Sequence, residues 1–257
     1  MDKLNTKKIL LMCLPIVFAV SLAITLAACM AQAGRKVGDG MFGTDTSGVI
    51  GELPTISDEN ADFSDGLLFT SLGDGTCILS GIGTCSDKDL TVPEKSPAGD
   101  SVKAVARSAF MGSSKIGKVT LPKTLVSIGD YAFYNSSVTE INVPSGVTSI
   151  GEAAFASCTN LKGINVSGSN KNYCSVDGVL FSKDKSTIVC YPSGKEGESY
   201  TIRMGVGYIG NAAFLDCVYL KRVSYNGSYK DWQTVKIGAN NDSLSGMEIT
   251  FLTQTTK

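Results

Sequence analysis

Ile150-Gly151-Glu152-Ala153-Ala154-Phe155 is one of four occurrences of a single phrase. The others are Val105-Ala106-Arg107-Ser108-Ala109-Phe110, Ile128-Gly129-Asp130-Tyr131-Ala132-Phe133 and Ile209-Gly210-Asn211-Ala212-Ala213-Phe214. The first three Phe residues lie 23 and 22 positions apart. A fixed period in that range marks a stacked solenoid, in which each unit is one supersecondary element that cannot bury its apolar edge alone.

A second phrase recurs between the first. It reads Ile116-Gly117-Lys118-Val119-Thr120-Leu121-Pro122, then Val138-Thr139-Glu140-Ile141-Asn142-Val143-Pro144, Leu161-Lys162-Gly163-Ile164-Asn165-Val166 and Leu220-Lys221-Arg222-Val223-Ser224-Tyr225. Asp87-Lys88-Asp89-Leu90-Thr91-Val92-Pro93 is a degenerate first copy. The last three apolar-polar-apolar residues alternate as in a short strand with one buried face. Pro ends the strand because it has no N–H for the ladder. Val102, Leu125, Val147 and Val206 each stand three residues before the start of the next Phe phrase. The Gly after Ile is expected to permit a tight change of direction. The Ala-Phe pair is expected in a short helical turn, with Phe filling the space between layers. A small residue follows three positions later: Ser113, Ser136, Cys158 and Cys217. Stacked coils then place parallel strands about 4.8 Å apart around a continuous core.

These phrases, the strand end at Pro, the Val-x-x-Ile-Gly-x-x-Ala-Phe run and the small residue or Cys after it, resemble the BspA-like leucine-rich repeat over about residues 64–252. The copies containing Val105-Ala106 and Arg203 depart from that pattern. The resemblance implies an α/β-type leucine-rich repeat solenoid, with short parallel strands on one face and short helical turns on the other. It also implies surface display and adhesion to host proteins or other cells.

The first 28 residues read as an address. Lys3, Lys7 and Lys8 form a basic start, and an apolar run follows to Leu26-Ala27-Ala28-Cys29. A transmembrane anchor or a secretory signal peptide fits the apolar run. The Leu-Ala-Ala-Cys ending resembles the bacterial lipoprotein lipobox, which makes Cys29 the lipidated first mature residue. Two or more acyl chains hold a protein stably on a membrane where one does not. Residues 29–62 are rich in Gly and Asp and show no periodicity, as in a flexible tether spanning about 30 Å.

Residues 63–257 form the repeat domain. Leu67-Leu68-Phe69-Thr70-Ser71 and Thr76-Cys77-Ile78-Leu79-Ser80 flank Gly73-Asp74-Gly75, a hairpin signal that makes 63–86 an N-terminal cap. Phe155 and Phe214 are 59 apart, so the chain between them carries about 36 residues beyond one period. Val179-Leu180-Phe181 and Thr187-Ile188-Val189 read as an inserted hairpin within 167–199. Residues 226–252, with the single Trp at position 232, read as a C-terminal cap.

Composition narrows the function. The 257 residues carry 23 basic and 24 acidic side chains, a net charge of −1, which offers no electrostatic grip on nucleic acid. There is no His, which removes His triads, His general bases and His metal ligands. Beyond Cys13 and Cys29, the six remaining Cys contain no C-x-x-C pair, which argues against zinc. An even number in an exported chain permits disulfides. The small buried character of the Cys158 and Cys217 positions favours free thiols. Gly205-Val206-Gly207-Tyr208-Ile209-Gly210 matches a dinucleotide-binding pattern, but the repeat register accounts for it and no long crossover follows. No cofactor or metal is expected.

The outward strand positions form two columns. One runs Lys118, Glu140, Gly163, Arg222 and the other Thr120, Asn142, Asn165, Ser224. Mixed single charges and short amide or hydroxyl groups supply no facing carboxylate pair and no nucleophile beside a base. The candidate binding face is therefore Lys118, Thr120, Glu140, Asn142, Asn165, Arg222 and Ser224. Its expected role is non-catalytic recognition of a protein or glycan on the outward-facing side of a bacterial cell envelope. A structural or accessory envelope protein without a host ligand is the alternative, and an extracellular hydrolase a remote one.

Overall fold

The computed structural model describes residues 63–253; the leader over 1–28, Cys29 and the tether over 29–62 lie outside the described residues. The described chain is a β-solenoid of about eight turns. Most coils contribute two short strands, one to each of two parallel ladders.

The first ladder contains β3 (Leu90–Thr91), β5 (Lys118–Thr120), β7 (Glu140–Val143) and β9 (Ile164–Val166). These are the strands of the second sequence phrase, and Val119, Ile141 and Ile164 point into the core with no exposed surface. The second ladder starts as an antiparallel hairpin of β1 (Leu68–Ser71) and β2 (Thr76–Gly81). It continues in parallel through β4 (Ser101–Val105), β6 (Ser127–Ile128) and β8 (Ser149–Ile150).

The Ala-Phe segments are not helical, which corrects the expectation of helical turns on the far face. Ser108, Phe110 and Gly112 donate their N–H groups to Asp130, Ala132 and Tyr134 of the next coil. Ala109, Met111 and Ser113 donate to carbonyls three residues back. Tyr131, Phe133 and Asn135 repeat the pattern onto Glu152, Ala154 and Ala156. Alternate donors are thus taken by the neighbouring coil, and the i→i−4 bonds of an α-helix do not form. The backbone makes this possible by turning left-handed two residues before and two residues after each Phe. Ser108, Tyr131, Ala153 and Ala212 have φ of 51–56°, and Gly112, Asn135, Ser157 and Asp216 have φ of 51–68°. Each non-glycine residue there costs about 1–2 kcal/mol, which the inter-coil bonds offset. Among the described residues, helix is confined to two four-residue segments near the end, α1 (Tyr229–Trp232) and α2 (Asp242–Ser245).

Glycine in the Ile-Gly phrase serves stacking rather than a change of direction. A Cβ on Gly129 would lie 2.6 Å from the backbone nitrogen of Arg107 in the preceding coil. Packing coils that closely brings the aromatic rings into a row. Phe110 and Phe133 stack at 5.1 Å between centroids, and Phe133 and Phe155 at 5.7 Å.

The row breaks after Phe155, where a hairpin enters the core. β10 (Tyr173–Val176) and β11 (Val179–Ser182) pair across Asp177-Gly178, both with positive φ (51° and 79°), the conformation that a two-residue hairpin loop requires. Val179, Leu180 and Phe181 are all buried. Leu180 belongs to the apolar cluster running from Leu67 to Leu161 and Ile164, while Val179 and Phe181 belong to the cluster containing Ile202, Phe214 and Val223. Because successive strand residues point to opposite faces, β11 acts as a partition between two cores.

Beyond it the chain resumes coiling. β12 (Thr187–Cys190) pairs antiparallel with β11 and parallel with β14 (Tyr208–Ile209), which pairs with β16 (Lys236–Ile237). β13 (Ser199–Ile202), β15 (Arg222–Tyr225) and β17 (Ile249–Phe251) form a separate parallel sheet. Tyr191 takes the Phe place here, stacking on Phe214 at 5.2 Å and donating its N–H to Ala213. Within 167–199, the departure from the coil is thus an antiparallel meander in which the expected pairing of 179–181 with 187–189 forms as β11–β12, and β10 adds a further strand at 173–176. The stretch from Thr187 to Ile202 is a shortened coil.

Buried asparagines close the open ends. Asn170 donates to the Pro144 and Val147 carbonyls and accepts from the N–H groups of Asn172 and Tyr173. Asn241 accepts from the Phe214 N–H and donates to the Gly210 and Gly238 carbonyls, substituting for the next coil. Trp232 is half-buried and packs its ring 5.3 Å from that of Tyr225.

Candidate recognition face

The alternation that buries Val119, Ile141 and Ile164 turns their neighbours outward. Thr120 pairs directly with Asn142, and Asn142 with Asn165, so three uncharged polar side chains stand in one column across β5, β7 and β9. Lys118 pairs with Glu140 in the adjoining column, and their charged ends lie 3.5 Å apart with nearly half of each side chain exposed. An ion pair so solvated contributes about 0–1 kcal/mol. Glu140 also accepts from the Asn142 amide at 3.5 Å.

Five of the seven sequence-derived face residues are therefore brought together: Lys118, Thr120, Glu140, Asn142 and Asn165. Arg222 and Ser224 stand on β15 in the other sheet. The hairpin tip separates the two groups, because Gly178 supplies the carbonyl for the Ile164 N–H at the edge of β9. Arg222 lies 3.9 Å from Glu198, and Ser224 shares a 2.8 Å hydrogen bond with Thr250.

A shallow groove of about 480 Å³ adjoins the first column. Asn142 and Asn165 line it together with Ser145, Ser167 and Ser169, while Lys123 is the one charged lining residue. The apolar wall comes from Leu121, Val143, Pro144 and Val166. The repeat pattern did not flag Lys123 or the three serines, since they lie in strand exits where the repeats diverge. The strand-ending Pro144 was the available signal. A second cleft of about 500 Å³ lies at the N-terminal cap, between Phe63 and Phe69 on one side and Pro93 and Pro97 on the other.

Away from this face, burial shifts the cysteines and tyrosines, and hydrogen bonds shift several exposed carboxylates. Burial raises the thiols of Cys158 and Cys190, and raises Cys217 to about 12. It also raises the Tyr191 phenol to about 12 and the Tyr200 phenol further. All six described cysteines are free. Hydrogen bonding with Glu196 raises the exposed Lys162, and the same bond lowers Glu196. Among the described residues, no group of three or more His, Cys, Asp or Glu is placed to hold a metal ion. No helix among them is long and apolar enough to cross a membrane.

Residues 94–193 match the model of the BspA type leucine-rich repeat region, in six copies. Over residues 94–193 the repeats thus resemble the BspA type leucine-rich repeat. The pneumococcal vaccine antigen PcpA is similar in structure, with 32% identity and a TM-score of 0.52 over 58% of this chain and 37% of its own. A leucine-rich cell surface protein from Faecalibacterium prausnitzii A2-165 is similar at 28% identity and a TM-score of 0.51, over 63% of this chain and 41% of its own. This chain thus spans about two fifths of the length of these two chains. No curated protein matches the chain significantly. The matching family model is a leucine-rich repeat, and these similarities indicate no enzyme family.

Proposed function

We propose that this BspA-type repeat protein is a non-catalytic recognition module displayed on the outer face of a bacterial envelope. A lipid on Cys29 anchors it, residues 29–62 hold it off the membrane, and the sheet of β5, β7 and β9 meets a protein or glycan partner. The observation that carries this reading is the Thr120–Asn142–Asn165 column, held in register over strands whose inward residues are fully buried. Such a face is preorganised, so little ordering entropy opposes binding. The surface location draws its support from the F. prausnitzii relative, which is described as a cell surface protein, and from the Leu-Ala-Ala-Cys ending.

Two measurements test the reading. Metabolic labelling with a fatty acid should mark the wild-type chain and leave Cys29→Ala unlabelled and released from the membrane fraction. The full chain should also retain a host matrix protein or a glycan on an array. Retention of neither, together with cross-linking on intact cells only to neighbouring envelope proteins, would favour the accessory envelope role instead.

A further inference from the structure

The groove beside Asn142 and Asn165 has a chemistry narrower than that of a general adhesive surface, and this inference rests on the recognition role proposed above. We infer that it is a glycan-binding site for an uncharged oligosaccharide segment, with Asn142 and Asn165 as its principal contacts.

Apart from the exposed Lys123, whose ammonium can donate to a sugar hydroxyl, the polar lining groups are amides and hydroxyls. Asn142, Asn165, Ser145, Ser167 and Ser169 can each donate and accept hydrogen bonds, as a sugar hydroxyl does. No carboxylate lines the groove, so nothing there selects for a cationic partner. Half-buried Pro144 and Val166 present carbon surface beside the polar groups, which matches the mixed faces of a pyranose ring. Asn142 and Asn165 stand on adjacent strands about 4.8 Å apart, so successive rungs can reach successive polar groups of one extended chain.

The same geometry disfavours a peptide or a protein. β7 is flanked by β5 and β9, so its backbone groups are taken up in the ladder, and the groove offers no free strand edge for a peptide to extend. The edge of β9 beyond it is occupied at Ile164 by the hairpin tip. Protein interfaces also concentrate their energy in Trp, Tyr and Arg, and the groove contains none. Its shallowness implies weak binding at each site, which display of many copies on one surface would strengthen by multivalency.

The test applies the full chain to an array of immobilised neutral and acidic oligosaccharides and measures hits by saturation-transfer NMR. The variants are Asn142→Leu, Asn165→Ala and Ser167→Ala, with Lys236→Ala, exposed on β16, as a control outside the groove. The expected result is retention of a neutral oligosaccharide, weakened at least about tenfold by Asn142→Leu and by Asn165→Ala. Lys236→Ala should bind normally. Unchanged thermal unfolding of Asn165→Ala, whose side chain is exposed, guards against misfolding as the cause. Retention of acidic glycans alone, or neutral binding indifferent to both asparagine changes, overturns the inference. Capture of a matrix protein through the same asparagines, with no glycan retained, also overturns it while leaving the recognition role intact. Failure of all probes counts against both.

Discussion

Replacing Asn241 by Ala should weaken the C-terminal end of the solenoid far more than its polar, loop-like surroundings suggest. Asn241 is 3% exposed. Its Oδ1 accepts from the Phe214 N–H at 2.9 Å, and its Nδ2 donates to the Gly210 and Gly238 carbonyls at 2.9 and 2.8 Å. Alanine would orphan the Phe214 N–H beside a fully buried ring, at about 1–3 kcal/mol. The carbonyls lose less, because Gly210 also accepts from the Ala213 N–H and an under-satisfied carbonyl is the better tolerated defect. The sum is about 3 kcal/mol. Trp232, the single tryptophan, packs on Tyr225 near the same end and reports its unfolding in a urea titration. Amide exchange at Phe214 should accelerate by roughly 100-fold, the equivalent of about 3 kcal/mol. Asn165→Ala, on the exposed face, should change stability by no more than about 0.5 kcal/mol. If Asn241→Ala were as silent as Asn165→Ala, the idea that its side chain substitutes for a missing coil would be refuted.

Two further outcomes follow from the core. Phe133→Ala should cost about 4–5 kcal/mol in guanidinium denaturation, and about 1 kcal/mol more than Phe110→Ala, because Phe133 is stacked by rings on both sides and Phe110 by one; equal costs would argue against the aromatic row. Raising the pH should also destabilise the protein: the Cys158, Cys190 and Cys217 thiols are raised by burial, the last to about 12, whereas unfolded thiols ionise near about 8.5. A raised folded value leaves stability intact below the unfolded value and removes it as pH climbs between the two. The urea midpoint should therefore fall as the pH climbs from about 8.5 toward about 12, and substituting all three by Ala should flatten the lower part of that slope.

The repeat was legible because its period is written in apolar residues that packing cannot exchange. Phe110, Phe133, Phe155 and Phe214, and the inward Val119, Ile141, Ile164 and Val223, are all buried in the structure. The conformation of the Ala-Phe segments was not legible. Alanine at 153 and 212 favours a helix locally, yet both adopt positive φ, because the adjacent coil takes the Glu152 and Ala154 carbonyls on either side of Ala153 and accepts the Ala212 N–H at Ala239. The shortened coil was hidden for a related reason. Tyr191 replaces Phe without the flanking Ile-Gly phrase, and only its stacking on Phe214 reveals the equivalence. The turn at Asp177-Gly178 pairs β10 with β11, but nothing local tells that β11 buries both its faces. The face itself was half legible. Strand alternation gave the Thr120–Asn142–Asn165 column, while the grouping of Arg222 and Ser224 with it failed because the hairpin tip intervenes between the two sheets.

The most direct test of the account is a cross-link across the proposed face. Asn142 and Asn165 are register partners on adjacent parallel strands, about 4.8 Å apart and within the Cα spacing that a disulfide tolerates. The double variant Asn142→Cys with Asn165→Cys should form that disulfide on mild oxidation of the folded chain, as read by peptide mapping. Asn142→Cys with Ser224→Cys, on separate sheets, should not. Efficient pairing of 142 with 224, or none of 142 with 165, would contradict the register on which both the solenoid and its recognition face depend.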